Sequence, residues 1–292
     1  MSKKLKVLVT GATGNTGSLL VPALLKADVD VRIFARNEEK AKTLKNLGAE
    51  VVIGDLDDPA TILPAVKDVD KIYLITWNGE TQLKQAENVI NAAKYEGISH
   101  LIRHSMWGSE KSRIIKQGYE IEEMVKSSGL QWTLLKPTFF MQNTMMAAQT
   151  ISSDGVIYWD MKDGKLGMID VRDIADAAYA VITGKGHEGK SYILTGPEAI
   201  SFNDVAKIFS DVLHKEVKYV NVPHEASIQA MTGMGIPQWI AEGFAELDEG
   251  FGENFANDTT KNVETLTWHP ARSFKQFATE FAQVFSGENI AV

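Results

Sequence analysis

Three glycines at every third position, Gly11, Gly14 and Gly17, have the residue type and the spacing that bind the pyrophosphate of a dinucleotide. The first glycine permits a tight turn, the second lets the backbone approach the phosphates, and the third lets a helix pack closely. The phosphates then lie at the positive end of that helix. We therefore expect the polar residues between the glycines to contact the cofactor as well, namely Thr13, Asn15 and Thr16.

Arg36 predicts which dinucleotide is bound. It directly follows the apolar run Val29–Ala35, at the position beside the adenosine ribose where an NAD site usually carries a carboxylate. A guanidinium matches the charge and the geometry of a ribose 2′-phosphate, so NADP(H) is favoured over NAD(H). The alternative is that Arg36 is a solvated residue before a helix at Asn37–Leu47, and Lys40 has the same two interpretations.

The elements around these residues predict an α/β fold of the Rossmann type, a doubly wound parallel sheet with helices on both faces. Apolar runs predict six strands, and periodic segments between them predict helices at Ser18–Lys26, Pro59–Val66, Glu80–Glu96 and Gln117–Ser127. Ligands of such sheets bind beyond the carboxyl ends of the strands. The predicted strands are Val7–Val9, Val29–Ala35, Glu50–Ile53, Lys71–Thr76, Ser99–His104 and Gln131–Leu135.

The second half of the chain is less regular. We predict an NAD(P)-binding domain at residues 1–152 and, at residues 153–292, a smaller carboxyl-terminal α/β substrate-binding part interlaced with it. The stretch Met231–Phe255 suits either an apolar cap over a substrate cleft or the core packing of two helices. Its other predicted elements are strands at Val156–Trp159, Ser191–Leu194 and Lys218–Val222, and helices at Val171–Thr183 and Asn203–Leu213.

Composition excludes several classes of function. The net charge of −8 disfavours nucleic acid or an anionic membrane as the main partner, and the absence of Cys excludes disulfides, thiolate metal sites and a cysteine nucleophile. The amino terminus fits the nucleotide-binding turn better than a signal peptide, and no run is long enough for a membrane span. The expected location is the cytoplasm.

Three pairs of residues that resemble other sites have simpler explanations. His100 and His104 would be about 13 Å apart on a strand, which is too far for one metal ion, so we expect no metal site. His104 beside Ser105 lacks the turn of a hydrolase and more plausibly shapes the nicotinamide site. Asp170 and Asp173 are explained by helix capping and a structural ion pair.

Several motifs together resemble the NmrA-like branch of the atypical short-chain dehydrogenases. Besides the glycine turn, the resemblance lies in Gly54-Asp55-Leu56, Leu134 to Asn143 and Ile169 to Ala175, and it extends through Tyr192 to Pro197 and Trp268 to Arg272. The family includes NADPH-dependent reductases of quinones, azo dyes and triphenylmethane dyes, and also regulators that bind the cofactor without oxidising it. By resemblance, Asp55 and Leu56 hold the adenine, Thr76 and Trp77 approach the ribose and phosphates, and Pro137 to Phe140 line the nicotinamide side.

The proton donor departs from the family pattern of Ser, Tyr and then Lys four residues later. Ser105 and Tyr119 fit the first two positions, and Ser105 also lies beside the predicted cofactor site, but Glu123 stands where the Lys belongs. On a helix, Glu123 and Tyr119 share a face, and a carboxylate there would raise the pKa of the phenol. Tyr119 is therefore either the proton donor, a substrate contact or a packing residue.

The lack of a positioned proton donor slows hydride transfer least when the acceptor itself spreads or cancels the arriving negative charge. We therefore predict hydride transfer from NADPH to a small conjugated acceptor, with an aromatic mouth formed by Trp77, Trp107, Phe139 and Phe140, although each of these could instead be a core residue. The alternatives are a sensor of the nicotinamide pool that acts through a protein partner, and a dehydrogenase or isomerase of a secondary metabolite. We expect a monomer or a homodimer.

Overall fold

A mostly parallel sheet is the main feature of the computed structural model, which describes residues 3–287. The sheet has seven strands in the order β3-β2-β1-β4-β5-β6-β8, and the pairs from β3 through β6 are parallel. The predicted fold class is therefore confirmed. The strands are β1 (Lys6–Thr10), β2 (Asp30–Ala35), β3 (Glu50–Ile53), β4 (Lys71–Leu74), β5 (His100–His104), β6 (Trp132–Pro137) and β8 (Lys190–Leu194).

The helices begin and end close to the predicted positions. Asp58 and Pro59 start α3 as an N-cap and first residue, and Ser201 with Asp204 forms the capping box of α8. The largest shift is at α5, which begins at Arg113, four residues before the predicted Gln117; the other boundaries differ by at most two residues. The helices are α1 (Gly17–Lys26), α2 (Glu38–Asn46), α3 (Pro59–Val66), α4 (Gln82–Glu96), α5 (Arg113–Ser127), α6 (Ala148–Asp154), α7 (Val171–Thr183), α8 (Phe202–Leu213), α9 (His224–Gly233), α10 (Gln238–Gly252), α11 (Asn262–Thr267), α12 (Phe274–Glu280) and α13 (Ala282–Ser286).

The chain forms two compact units. Among the described residues, the first comprises 3–106, 117–136 and 174–192, and the second comprises 107–116, 137–173 and 193–287. In the first unit, apolar residues of β1, β4, β5 and β6 pack against α3, α4 and α5, with Leu8, Ile72, Leu101 and Leu134 at most 1% exposed. Burial of these side chains drives the sheet and the helices together.

The second unit has its own core, which is rich in phenylalanine. Strands β7 (Val156–Trp159) and β9 (Lys218–Asn221) form a separate parallel pair, and a 3₁₀ helix covers Met141–Ala147. The stretch Met231–Phe255 holds the end of α9 and all of α10, whose Ala241 packs with Met231 in a small buried cluster. Packing of α9 against α10 thus accounts for this buried cluster, whereas Met234 and Phe255 of the same stretch are 58% and 41% exposed. Both interpretations of the stretch therefore stand. Among residues 3–287, no helix combines the length and the apolar character needed to cross a bilayer.

Candidate functional site

The carboxyl ends of β1 and β4 form the centre of the candidate cofactor site in the first unit. The strand order reverses between these two neighbours, and sheets of this class bind ligands at such a point. Thr10 ties the two ends together, because its Oγ1 donates to the carbonyl of Ile75 at 2.6 Å and accepts from the N–H of Ile75 at 2.7 Å. The glycine turn that follows β1 therefore starts from a fixed position.

The surroundings of each glycine in the turn show whether a side chain would fit there. Gly11 has φ of +62°, and a Cβ there would lie 2.9 Å from Cβ of Ile75. A Cβ on Gly17 would lie 2.5 Å from the carbonyl oxygen of Gly11 and 2.6 Å from Cα of Ala12. A Cβ on Gly14 would meet only the Gly11 oxygen, at 3.3 Å. The fold itself thus requires Gly11 and Gly17, whereas Gly14 leaves room above the turn.

The start of α1 suits a phosphate group. Its N-cap residue is Thr16, and its first turn carries no acidic residue, so no carboxylate competes for the positive end of the helix dipole. Thr13 and Asn15 are exposed in the same turn, as expected for residues that contact a ligand. The open space at Gly14 and the acid-free helix start both fit the pyrophosphate of a dinucleotide.

Two further loops at this sheet edge are held by buried amides of α4, which the sequence analysis missed. Gln85 accepts from the N–H of Trp77 at 3.2 Å and donates to Asp57 at 3.0 Å, so one side chain joins the loops after β3 and β4. Gln82 donates to Thr76, and Asn88 donates to the carbonyl of Leu56. The spacing of the three amides, at every third helix position, is the signal that could have identified them.

Asp55 sits in the loop after β3 in a tightly bonded turn. Its Oδ1 accepts from the N–H of Asp57 at 3.0 Å, and its backbone N–H donates to Thr61 Oγ1 at 3.1 Å. Asp55 and Leu56 are both partly exposed, which leaves them accessible to a ligand. These hydrogen bonds therefore hold the loop after β3, which the family resemblance assigns to the adenine, in a defined conformation.

Arg36 follows β2 and is exposed. Its guanidinium carbon lies 5.9 Å from the centre of the Trp77 ring, and none of the ion pairs found within residues 3–287 includes it. The neighbouring acids are occupied elsewhere, with Glu38 bound to Lys45 and Glu39 to Lys42. The positive charge of Arg36 is therefore available to an anion.

A buried polar chain joins β5, α5 and β6 beneath the candidate nicotinamide end. Ser105 is 2% exposed, and its hydroxyl donates to Glu122 at 2.6 Å. The second oxygen of Glu122 accepts from Lys136 at 2.8 Å, and Lys136 Nζ lies 4.2 Å from the centre of the Tyr119 ring. Lys136 thus brings to Tyr119 a cation that the sequence pattern lacks at position 123.

Glu123, which the sequence places on the same helix face as Tyr119, is paired with another residue in the structure. Glu123 is exposed and forms an ion pair with Lys126 at 2.6 Å. Water and Lys126 both weaken the field of this carboxylate at the phenol. Local spacing along α5 identified Glu123, but Glu122 and Lys136 hold the buried charges.

His104 closes the carboxyl end of β5 beside β4. Its Nδ1 forms a hydrogen bond of 2.7 Å with the hydroxyl of Tyr73. Burial, and secondarily the neighbouring Arg103, lowers the pKa of His104 to about 3. His104 is therefore neutral at physiological pH and offers hydrogen bonds, not charge. His100 lies on the same strand and bonds Thr133 at 2.9 Å.

The second unit contains the predicted residues that follow β6. The carbonyl of Pro137 accepts from the N–H of Trp107 at 2.8 Å, and Phe140 is partly exposed beside Ile169. Phe139, by contrast, is 6% exposed and packs edge-on against Trp159 at 5.6 Å. Phe139 is a core residue, which corrects the expectation that it lines an aromatic mouth.

The acidic pair that opens α7 is structural, as the sequence predicts. Asp170 caps the helix by accepting from the N–H of Arg172 at 2.9 Å and also binds the guanidinium of Arg172. Burial opposes ionisation of Asp170, but these bonds hold its pKa below the usual value. Asp173 forms an ion pair with Arg272, while burial raises its pKa.

Comparison with known proteins gives the family. Residues 3–281 match the NmrA-like family. The chain is 35% identical over 282 residues to an NAD(P)H azoreductase of Xenophilus azovorans, covering 96% of this chain and 99% of the relative. It is also 35% identical over 286 residues to a (4-alkanoyl-5-oxo-2,5-dihydrofuran-3-yl)methyl phosphate reductase of Streptomyces griseus, covering 97% of this chain and 100% of that one.

A solved structure agrees with both the fold and the family. The NADPH complex of an NADPH-dependent quinone oxidoreductase from Escherichia coli superposes with a TM-score of 0.86 and 29% identity, covering 94% of this chain and 99% of that one. Its fold is the one described above. From these matches, together with the glycine turn and the loops around it, we conclude that the chain belongs to the NmrA-like family.

Proposed function

We propose that this protein is an NADPH-dependent reductase that transfers a hydride to a small conjugated acceptor, such as a quinone or an azo compound. The observation that carries the proposal is Arg36, an exposed guanidinium after β2 with the neighbouring acids paired elsewhere. The relatives support the reaction class, since those that are 35% identical over nearly the whole chain are named as reductases. The sensor hypothesis has no comparable support.

The proposed cofactor contacts follow the edge of the sheet. The turn from Gly11 to Gly17 and the start of α1 bind the pyrophosphate, and Arg36 binds the 2′-phosphate. The adenosine lies along the loops that Gln85 joins, with Asp55, Leu56, Thr76 and Trp77 as contacts. Pro137 and Phe140 contribute to the nicotinamide side, as the family resemblance implies.

When bound, the nicotinamide of NADPH supplies a hydride from its C4 atom. The chain contributes orientation and exclusion of water, which account for much of the acceleration when the acceptor spreads its own charge. The hydroxyl proton of Ser105 is committed to Glu122, so its lone pairs are what it offers to an N–H of the cofactor. We therefore place Ser105 as a cofactor contact. Tyr119 is the candidate proton donor, but the proposed reaction does not depend on it, because a conjugated acceptor spreads the arriving charge itself.

Replacing Arg36 with alanine should weaken NADPH binding by about 1–3 kcal/mol, the usual range for a charge-assisted contact, and leave NADH binding nearly unchanged. The reason is that only NADPH carries the 2′-phosphate. Isothermal titration of both cofactors measures this directly. Equal losses for the two cofactors, or none for either, would remove the basis for naming NADPH.

The choice of acceptor tests the reaction class. We expect NADPH to be oxidised by a quinone or an azo dye, and at most about a hundredth as fast by an isolated aliphatic ketone, because the localised alkoxide needs a positioned acid worth roughly 100-fold or more. The control variant is Tyr119→Phe. If ketone and quinone are reduced equally well and the variant abolishes both activities, Tyr119 is an efficient acid and the acceptor argument is wrong.

The cellular location and the oligomeric state are also proposals. We propose that it acts in the cytoplasm, where reduced nicotinamide cofactors are maintained, as a monomer or a homodimer. Light scattering of the purified protein, with and without NADPH, determines the oligomeric state.

A further inference from the structure

We propose that Trp77 is a second determinant of cofactor specificity. Its indole ring holds the Arg36 guanidinium in the position that receives the 2′-phosphate, so the preference for NADPH over NADH depends on both residues. The inference rests on the proposed function, because it concerns the same cofactor site.

The contact between the two side chains has the geometry of a cation–π interaction. The guanidinium carbon of Arg36 lies 5.9 Å from the centre of the Trp77 ring, within the roughly 6 Å over which a ring face attracts a cation. A long, exposed arginine otherwise samples many rotamers, and each must be given up when the phosphate binds. An arginine already lying over an indole loses less of this freedom.

The backbone that carries the indole is held by a buried side chain. Trp77 is 59% exposed, yet its backbone N–H donates at 3.2 Å to Gln85, a side chain in a residue that is only 5% exposed. Gln85 is fixed in turn by Asp57 and Thr81. Gly79 leaves room for the ring, since a Cβ there would lie 3.3 Å from Cδ1 of Trp77. The loop thus fixes the backbone of Trp77, and the ring lies beside Arg36 with one part open to solvent.

The proposed role of Trp77 predicts a different effect on cofactor affinity from that of a ring that only stacks on the adenine. Adenine is common to NADPH and NADH, so a ring that only stacked on it would affect both cofactors equally. A ring that acts through Arg36 affects the one cofactor that carries a 2′-phosphate. The ratio of the two affinities therefore separates the two roles.

The experiment is a double-mutant cycle on the full-length protein, with dissociation constants for NADPH and NADH measured by isothermal titration. Trp77→Leu removes the aromatic face and keeps an apolar side chain, and Trp77→Phe restores a ring as the matched control. We expect Trp77→Leu to lower the ratio of NADPH to NADH affinity by about two- to fivefold, the range of an exposed cation–π contact. Trp77→Phe should recover part of this ratio. In the Arg36→Ala background, Trp77→Leu should leave the ratio unchanged.

The outcomes distinguish this inference from the proposed function. Equal loss of both affinities in Trp77→Leu, or the same loss of the ratio with and without Arg36, would overturn the role of Trp77 while NADPH binding by the parent protein still stands. If the parent protein binds neither cofactor, the proposed function and the inference fail together.

Discussion

Replacement of Glu122 by leucine is expected to lower the free energy of unfolding by about 3–5 kcal/mol, the range measured when one member of a buried ion pair is removed. The side chains of Glu122 and Lys136 are only 4% and 9% exposed. The substitution leaves the Lys136 ammonium without its carboxylate and deprives the Ser105 hydroxyl of its acceptor. Urea unfolding, with a check that the slope of the transition is unchanged, measures the loss.

The matched control is the double variant Glu122→Leu with Lys136→Met. Replacing a whole buried pair by apolar side chains of similar volume is often neutral or stabilising, so most of the lost stability should return. Lys136→Met alone should behave like Glu122→Leu. A surface ion pair contributes less than about 1 kcal/mol. A loss of that size in either single variant would show that water reaches these charges and that the side chains of Ser105, Glu122 and Lys136 do not form the buried network described above.

The second large effect separates two glycines of the same turn. Gly17→Ala should destabilise the protein by about 3 kcal/mol, because the new methyl group would lie 2.5 Å from the Gly11 carbonyl oxygen and must displace backbone. Gly14→Ala should leave the fold within about 0.5 kcal/mol, since its methyl group meets only that oxygen, at 3.3 Å. NADPH affinity should nevertheless fall at least about tenfold in Gly14→Ala, where the methyl group blocks the approach of the pyrophosphate.

Thermal unfolding and cofactor titration on the two variants give the comparison. Each variant is the control for the other, because they insert the same methyl group three residues apart in one turn. Unaltered NADPH binding by a well-folded Gly14→Ala protein would contradict the assignment of this turn to the pyrophosphate. An unchanged melting temperature for Gly17→Ala would contradict the close contact of α1 with the turn.

The sheet was predictable because its signals are local. Apolar runs such as Val7–Val9 and Glu50–Ile53 correspond to β1 and β3, and Pro59–Val66 corresponds to α3 without a shift in boundaries. The glycine spacing predicted the turn after β1 for the same reason, since Gly14 and Gly17 face atoms of the turn itself, although the close neighbour of Gly11 is the distant Ile75. Where neighbours in sequence are also neighbours in space, the residue types are sufficient.

The supporting contacts were not predictable because they join distant segments. Lys136 lies in the apolar strand β6, and nothing in its local sequence indicates that its ammonium faces Glu122 and Tyr119 on α5. Gln85 reads as a solvent-facing helix residue, although it is 5% exposed and joins two loops. For Phe139 the expectation of a ligand contact was wrong, because an aromatic residue after a strand is equally typical of a ligand site and of a core.

The measurement that tests the reductase most directly is NADPH oxidation by the purified protein with a small panel of quinones, azo dyes and triphenylmethane dyes, with NADPH binding titrated on the same sample. We predict tight binding of NADPH, weaker binding of NADH, and turnover with at least one conjugated acceptor. Tight binding of NADPH without oxidation by any acceptor of the panel would contradict the reductase and favour a sensor that acts through a protein partner.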